Sequence, residues 1–198
     1  MNQIGVLIFK DFETLDVFGP VEIFGVIKDL YRISFYSGYG GIVDNSHGVA
    51  IETLPFEKIE GSLDIFLIPG GYGTRTEVEN PGFIKKIKDI ALASKYILTV
   101  CTGSGLLAKT GLLDNRRATS NKKAFDWACK MGPQVNWIKK ARWVVDGNYY
   151  TSSGVSAGMD MAFGFLKDRH GEAFSKKIAF QIEYRLQEDK EDDPFSEQ

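Results

Sequence analysis

Three short, almost continuous apolar runs constrain the fold of this chain more than any other feature of its sequence. They span residues 3–9 (QIGVLIF), 64–71 (DIFLIPGG) and 96–101 (YILTVC). Runs of this length suit strands that are buried on both faces of a sheet. Segments with apolar residues at helical spacing separate the runs, so the pattern predicts a single α/β domain around a mainly parallel sheet.

The other predicted elements follow from turn residues and periodicity. Gly19-Pro20 predicts a helix that begins at the proline, because proline suits the first helical position. Asp146-Gly147 is a hairpin signal. The remaining predictions are a strand at 32–37, a hairpin around 41–54, a helix opened by Asn80-Pro81, helices over 104–113, 122–132, 157–171 and 172–188, and β-structure over 135–153.

Composition excludes several classes of protein. The 198 residues are 43% apolar and 25% charged, which is typical of a soluble domain with a sizeable core. Cys101 and Cys129 form no CxxC pair and no histidine lies at ligand spacing, so neither a disulfide framework nor a metal site is expected. The N-terminus has no basic region before an apolar run, and no stretch reaches about 18 apolar residues, which indicates a cytoplasmic protein without a membrane span.

Negative charge is concentrated at the C-terminus. The net charge is −2 and residues 188–198 alone hold −5, so the rest of the chain carries +3. A near-neutral body lacks the basic face that nucleic-acid binding requires. We therefore expect one domain over residues 1–187, no nucleic-acid partner, and a solvated, frayed acidic tail over residues 188–198.

The chemistry is expected where the strands end. In an open α/β sheet, ligands bind beyond the carboxyl ends of the strands. The loop after the first strand carries Asp16, the 64–71 run ends at Gly70 and Gly71, and the 96–101 run ends at Cys101. These residues meet at one rim of the sheet if the strands are parallel neighbours.

Cys101 is the candidate nucleophile. It lies in VCTGSG, where a buried strand turns into a helix, as in a nucleophile elbow that lacks the first glycine of GxSxG. The positive end of the helix favours the thiolate. The alternative is an inert buried cysteine. Cys129 lies on an amphipathic helix beside Trp127 and Met131, where core packing is the expected role.

A cysteine nucleophile needs a proton partner, and histidine is poorly supplied here. Thr102 follows Cys101, and the two histidines, His47 in a hairpin and His170 in KDRHGE, are interpreted as surface residues. A carboxylate is then the expected acid/base, and Asp16 is placed for that role. Its alternative role is to cap the helix near Pro20.

Two glycine-containing segments favour a pocket without identifying its ligand. Gly70 and Gly71 allow backbone N–H groups to approach developing negative charge, although a plain turn explains them equally well. The run TSSGVSAG over residues 151–158 could line a pocket or allow close packing. No GxGxxG or GxxxxGK[ST] motif is present, so the sequence predicts no nucleotide cofactor.

Four blocks together resemble the ThiJ/PfpI superfamily, which has the class I glutamine amidotransferase-like fold. They are LDVFGPVEIF (15–24), DIFLIPGG (64–71), VCTGSGLLAKTGLLDNRRATSN (100–121) and TSSGVSAGMDMAF (151–163). Within the superfamily, LD-x-x-GP and CTG resemble the isonitrile hydratase branch. The resemblance implies a flavodoxin-like three-layer sandwich, with helices on both faces of a mainly parallel sheet, a nucleophile-elbow cysteine and a homodimer.

The resemblance also implies residue roles. Cys101 matches the nucleophile and Asp16 the general acid/base. Gly71 and Thr102 match positions whose backbone amides stabilise charge. The positions that form the pocket wall in the superfamily correspond to Gly154, Val155 and Ser156. The implied reaction adds water to an isonitrile, a small-molecule substrate, to give an N-substituted formamide without cofactor or metal.

This chain departs from the superfamily pattern at several positions, and these departures argue against some of the activities found in the superfamily. PfpI peptidases have histidine directly after the cysteine, where this chain has Thr102, and the His-x-Glu of glutamine amidotransferases does not occur. Many relatives carry a histidine where this chain has Ser120-Asn121. Some transcription regulators join the same domain to a DNA-binding module, but the chain ends soon after the domain, so DNA binding is not expected.

Two alternatives to the hydratase stay open at this point. The first is a glyoxalase-type or protein-repair activity on reactive carbonyls, although those branches usually have glutamate at the position of Asp16. The second is a ligand-binding or stress-sensing domain whose cysteine is oxidised rather than catalytic.

Overall fold

The apolar runs form the centre of an eight-stranded sheet in a computed structural model that describes residues 1–197. The strands are β1 (Asn2–Leu7), β2 (Tyr31–Ser37), β3 (Gly41–Asp44), β4 (Ala50–Pro55), β5 (Ile65–Ile68), β6 (Tyr96–Thr99), β7 (Arg117–Ala118), β8 (Asn136–Trp137), β9 (Trp143–Asp146) and β10 (Tyr149–Ser152). The sheet has the order β3-β4-β2-β1-β5-β6-β10-β9, and β7 pairs with β8 separately.

The inner strands confirm the predicted parallel sheet. Strands β2, β1, β5, β6 and β10 are mutually parallel neighbours. Numbered along the chain, these five strands have the order 2-1-3-4-5, which is the flavodoxin-like arrangement. All four residues of β5 are buried, as expected of a strand covered on both faces. Antiparallel pairing adds β3 beside β4 and β9 beside β10, and the latter is the predicted Asp146-Gly147 hairpin.

Helices cover both faces of the sheet. They are α1 (Thr14–Gly25), α2 (Thr74–Glu77), α3 (Pro81–Ala93), α4 (Gly103–Lys109), α5 (Phe125–Met131), α6 (Ala157–His170) and α7 (Glu172–Gln181), with a 3₁₀ turn at Phe56–Lys58. Helices α1, α6 and α7 pack together, and α2 to α5 form a second group. The β1-α1-β2 and β5-α3-β6 crossovers run in opposite directions along the sheet, so right-handed connections place α1 and α3 on opposite faces.

Several predicted helix boundaries are wrong, among them the C-terminal end of α4, which lies at Lys109 rather than at residue 113. Helix α1 begins at Thr14 and holds Pro20 in its interior, because Asp16 and Val17 are already buried by packing one turn before the proline. The last helix ends at Gln181 rather than at residue 188, and Glu183 has a left-handed φ of 54° that no continuing helix allows. Local propensity did not indicate the start of α1 or the end of the last helix.

The acidic tail is only partly solvated, so the prediction of a frayed terminus is wrong for its middle. Asp193 is 1% exposed and lies 3.8 Å from both Lys122 Nζ and Arg142 Nη1. The backbone N–H of Arg142 donates to the carbonyl of Lys190 at 2.8 Å. An acidic segment is predicted to be solvated when its sequence is considered alone. In the folded protein, two buried cations from the body of the fold lie beside this one.

None of the helices formed by residues 1–197 combines the length and the apolar character needed to cross a membrane.

Candidate active site

The sheet topology brings three strand ends together at a switch point. The chain leaves β1 for β2 on one side and later places β5 on the other side of β1, so the β1–β5 border is where a crevice opens. Strand β6 is the next neighbour of β5. The loops that follow β1, β5 and β6 therefore meet at one rim, which is the convergence that the sequence analysis required.

Cys101 occupies the sharp turn between β6 and α4. Its φ is +58°, a left-handed conformation that is uncommon for any residue but glycine, and its side chain is buried. Its backbone N–H donates to the carbonyl of Ser152 at 3.2 Å, and its carbonyl accepts from the hydroxyls of Ser104 at 3.0 Å and Ser120 at 3.1 Å. These bonds hold the strained turn that presents the thiol.

Gly103 allows this turn to sit close to the end of β5. A Cβ at Gly103 would collide with the carbonyl oxygens of Ile68 and Pro69. Gly105, two positions further into α4, gives similar room to the ring of Trp127. The two glycines of the GSG segment in VCTGSG are thus explained by two close contacts. Gly103 approaches the backbone at the end of β5, and Gly105 leaves room for the tryptophan ring.

Asp16 reaches the same point from the first turn of α1. Its side chain is completely buried, and its Oδ2 accepts a hydrogen bond from the Gly70 N–H at 2.9 Å. Its Oδ1 has no hydrogen-bond partner among residues 1–197. The residue that precedes the helix is Glu13, so Asp16 is not the N-cap, and the capping alternative has no support in this geometry.

The Asp16 carboxyl and the Cys101 thiol form a coupled pair of acids. Burial raises the pKa of Asp16 to about 8, against the opposing effect of the Gly70 hydrogen bond. Burial, and then the charge of Asp16, also raises the pKa of Cys101 well above its ordinary value, although hydrogen bonds from the backbone and hydroxyl of Thr102 oppose this. At neutral pH both groups hold their protons.

The expected bias of Cys101 toward the thiolate is therefore wrong for the resting protein. Helix α4 has only seven residues, and its N-terminal dipole does not compensate for complete removal of the sulfur from water. The thiol instead lies beside a protonated carboxyl, which is a proton donor at neutral pH.

The backbone N–H groups of the two glycines after β5 have different hydrogen-bond partners. The Gly70 N–H is committed to Asp16, so Gly70 positions the carboxyl rather than facing a ligand. The Gly71 N–H donates to Thr102 Oγ1 at 3.1 Å. Gly71 has a φ of +128°, and a side chain there would collide with Asp11 and Glu13, so only glycine fits.

Gly154, Val155 and Ser156 lie on the neighbouring wall, beyond the end of β10. Gly154 packs on the side chain of Asn121, and Val155 has a φ of +40°. Ser156 Oγ accepts from Arg142 Nη2 at 3.4 Å. The wall is linked to the elbow through Ser152, whose carbonyl accepts a hydrogen bond from the Cys101 N–H.

Sequence reasoning missed Arg75. Its guanidinium donates to Thr74 Oγ1 at 2.8 Å and to the Gly71 carbonyl at 3.4 Å, and it lies 4.2 Å from the centre of the Trp127 ring. The only local signal was the basic residue in GGYGTR, four residues after the second glycine. The stack with Trp127 joins residues far apart in the chain, which a local pattern does not show.

Both histidines lie outside the reacting pair, as expected. His47 is more than half exposed, with its Nδ1 2.8 Å from Thr14 Oγ1 and 4.0 Å from Glu13 Oε1. His170 is bonded to the Tyr31 hydroxyl at 2.7 Å, at the amino end of β2 and thus at the opposite rim of the sheet. Cys129 is partly exposed on α5.

A separate cavity opens beside the site. It has a volume of about 530 Å³ and is lined by residues at and beyond the ends of β1 and β2 and by residues of α3, among them Lys10, Ser37, Tyr39 and Phe83, but not by Cys101 or Asp16. Within residues 1–197, no group of three or more His, Cys, Asp or Glu residues is arranged to hold a metal ion.

Comparisons with known proteins identify relatives of this chain in sequence and in structure. A model of the DJ-1/PfpI family matches residues 2–168. Isonitrile hydratase of Pseudomonas putida is 29% identical over 92% of this chain and 78% of its own length. The HTH-type transcriptional regulator CdhR of Pseudomonas aeruginosa is 27% identical over 89% of this chain, which spans only 53% of that regulator. The crystal structure of a ThiJ/PfpI family protein from Pseudomonas syringae superposes with a TM-score of 0.85 at 27% identity, over 94% of this chain and 76% of that one.

Proposed function

The chain belongs to the DJ-1/PfpI family, and from this premise we propose that it is a hydratase that converts an isonitrile to an N-substituted formamide. Cys101 is the nucleophile and Asp16 the general acid/base in this proposal. The similarity to isonitrile hydratase of Pseudomonas putida supports the reaction class. No cofactor is required for the steps below.

The observation that carries the proposal is the state of Asp16. Its pKa is raised to about 8 by burial, so the carboxyl holds a proton at neutral pH beside a buried thiol. One of its oxygens accepts from Gly70 and the other has no partner among residues 1–197. A carboxyl in this arrangement can give a proton to a substrate atom and take one from the thiol.

The first step adds the thiol across the terminal isonitrile carbon. The Cys101 sulfur attacks the carbon of R–N≡C while Asp16 gives its proton to the same carbon and takes the proton of the thiol. One S–H bond breaks, and one S–C and one C–H bond form. The product is the thioimidate R–N=CH–S–Cys101.

The second step hydrolyses the thioimidate. Water adds to its carbon, with Asp16 relaying a proton from water to the nitrogen, and gives R–NH–CH(OH)–S–Cys101. The C–S bond then breaks as the hydroxyl proton returns to sulfur through Asp16. The products are the formamide R–NH–CHO and the free thiol, so the net reaction is the addition of one water molecule.

The proposal also includes the setting in which the reaction takes place. By analogy with the family, the protein acts as a cytoplasmic homodimer on a small molecule, without a nucleic-acid partner. Light scattering on the purified chain tests the dimer directly. We expect a single species of twice the 22.1 kDa chain mass, and a monomer would contradict this part of the proposal.

Steady-state kinetics with a simple alkyl isonitrile beside methylglyoxal tests the reaction. We expect formamide production from the isonitrile and no turnover of methylglyoxal. Turnover of methylglyoxal alone would support carbonyl chemistry, and turnover of neither compound would favour a sensing role for Cys101.

Two cysteine variants complete this experiment. Cys101→Ser is nearly isosteric and should abolish formamide production while the protein still folds. Cys129→Ser is the matched control, because Cys129 lies on α5 away from the strand ends. Loss of activity in the control and its retention in Cys101→Ser would show that the nucleophile is wrongly assigned.

A further inference from the structure

An unpaired guanidinium lies at the rim of the candidate site. Arg75 is partly buried on α2, and none of the ion pairs within residues 1–197 involves it. Both hydrogen bonds of the guanidinium to these residues come from Nη1. Its Nε and Nη2 donors are thus left for water or a ligand.

The position of this guanidinium is fixed by its neighbours. The Trp127 ring lies under it at 4.2 Å, and the exposed ring of Tyr72 lies 5.9 Å away. Trp127 itself packs against Gly105 in the helix that follows Cys101. A cation stacked on an aromatic face keeps its edge free for in-plane hydrogen bonds.

A short chain of hydrogen bonds connects Arg75 to the elbow. Arg75 donates to Thr74 Oγ1, and the Thr74 hydroxyl donates to Thr102 Oγ1 at 3.2 Å. Thr102 is the residue that follows the thiol. Arg75 is therefore linked through two threonine hydroxyls to the residue next to Cys101.

The other charges at the site do not satisfy Arg75. Asp16 holds a proton at neutral pH because burial raises its pKa to about 8. The carboxylate of Glu13 is directed to His47, at 4.0 Å. Burial lowers the pKa of Arg75, and negative charge on Cys101 opposes this lowering, so the two groups are close enough to interact when the thiol ionises.

We propose that Arg75 binds a carboxylate on the substrate whose reacting carbon is attacked by Cys101. A planar guanidinium with two free donors fits a carboxylate in a bidentate arrangement, which a lysine at this position would not reproduce. The substrate class is then a small isonitrile that carries a carboxylate. This inference rests on the proposed function only in that Cys101 is the nucleophile, and the carboxylate preference can be measured without an isonitrile.

Alkylation of Cys101 by a charged and a neutral reagent of similar size isolates the anion preference. In a Cys129→Ser background, the rates of Cys101 alkylation by iodoacetate and iodoacetamide are measured by mass spectrometry. In both reactions the Cys101 sulfur displaces iodide. Both rates are proportional to the fraction of Cys101 present as thiolate, so the ratio of the two rates at one pH does not depend on that fraction. Because a hydrogen bond to a charged group is worth roughly tenfold or more, we expect the iodoacetate-to-iodoacetamide ratio to exceed that of glutathione by about tenfold.

Substitutions at Arg75 test whether this residue causes the preference for iodoacetate over iodoacetamide. Arg75→Gln should return the ratio to the glutathione value, and Arg75→Lys should keep only part of it. Arg32→Gln is the matched control with the same charge change, because Arg32 is exposed at the amino end of β2, on the opposite rim. A wild-type ratio equal to that of glutathione, or a ratio unchanged in Arg75→Gln, would overturn the inference.

Isocyanoacetate and isocyanoacetamide extend the test to turnover. We expect kcat/KM to favour isocyanoacetate by about tenfold in the wild-type protein, and this preference to vanish in Arg75→Gln. If neither isonitrile reacts but the alkylation ratio depends on Arg75, the hydratase proposal fails and the anion site stands. If neither alkylating reagent reaches Cys101, both the nucleophile and this inference are wrong.

Discussion

At the scale of single residues, the candidate chemistry depends on two acidic side chains that are buried next to each other, the carboxyl of Asp16 and the thiol of Cys101. Asp16 and Cys101 are each removed from water, which raises both pKa values; the charge of Asp16 raises the pKa of Cys101 further, whereas the neighbouring thiol lowers the pKa of Asp16. The Gly70 N–H holds one carboxyl oxygen, and hydrogen bonds from Thr102 reach the sulfur. The pair is therefore poised to move a proton between two defined positions rather than to hold a permanent thiolate.

Replacing Asp16 by asparagine separates proton transfer from structure. Asp16→Asn keeps the shape and an oxygen that can accept from Gly70, but it removes the proton that the mechanism moves. General acid–base catalysis contributes about 10²–10⁴-fold, so kcat with an isonitrile should fall by that factor. Asp16→Glu moves the carboxyl by one methylene and should retain partial activity. Full activity of Asp16→Asn, measured by formamide production, would leave Cys101 without the proposed partner.

The raised pKa of Asp16 also makes stability depend on pH. Between its ordinary value of 3.8 and about 8, the folded protein holds the Asp16 proton and the unfolded chain has lost it. The unfolded chain binds fewer protons in this range, so the free energy of unfolding falls as pH rises, by up to about 1.4 kcal/mol per pH unit from this group.

Urea denaturation at several pH values between about 5 and 7.5 measures this effect. The stability of Asp16→Asn relative to the wild-type protein should increase as pH rises through that range, because the variant has no proton to lose. A stability difference that is independent of pH would show that the Asp16 carboxyl is ionised in the folded protein.

At the scale of elements, the site depends on how closely α4 follows β6 and approaches β5. The left-handed φ of Cys101 turns the chain, and Gly103 then passes against the carbonyls that end β5. The contact leaves no room for a Cβ, so the position of the nucleophile is coupled to the packing of two adjacent loops.

A methyl group at Gly103 should disturb both stability and catalysis. Overpacking of this kind costs about 1–3 kcal/mol in the free energy of unfolding, and Gly103→Ala should show such a loss in urea denaturation. Since misplacement by about 1 Å can cost roughly 100-fold in rate, kcat should fall as well. Gly25→Ala is the control, because nothing lies within 4 Å of its added Cβ at the end of α1. Equal behaviour of the two variants would contradict the proposed close approach.

At the scale of the whole molecule, the C-terminal segment is part of the fold. Asp193 lies against Lys122 and Arg142, and Arg142 also pairs with the buried Asp160 at 2.6 Å. Burial lowers the pKa of Lys122 to about 8, against the opposing charge of Asp193. Lys122 follows Asn121, so this cluster supports the wall beside the elbow.

Removing Asp193 should leave the buried Lys122 without its carboxylate partner. Asp193→Ala is expected to lower the free energy of unfolding by about 3 kcal/mol, as in other buried ion pairs that lose one partner. The neighbouring Asp192 pairs with Lys140 at 3.6 Å through largely exposed side chains, so Asp192→Ala should change stability little. Chemical denaturation of both variants makes the comparison, and equal effects would mean that the tail is not anchored through Asp193.

The flavodoxin-like arrangement came from the family resemblance, whereas the sequence by itself determined the buried strands of the sheet and the positions of Asp16, Gly71 and Cys101 after them. These features are local, because a buried strand needs a continuous apolar run and a sharp turn needs particular residues. Only the tertiary structure decided that Gly70 holds Asp16, that burial keeps Cys101 protonated, that Arg75 stacks on Trp127 and that Asp193 is buried. Each of these contacts joins residues distant in the chain, and their electrostatic consequences depend on burial, which is a property of the assembled fold.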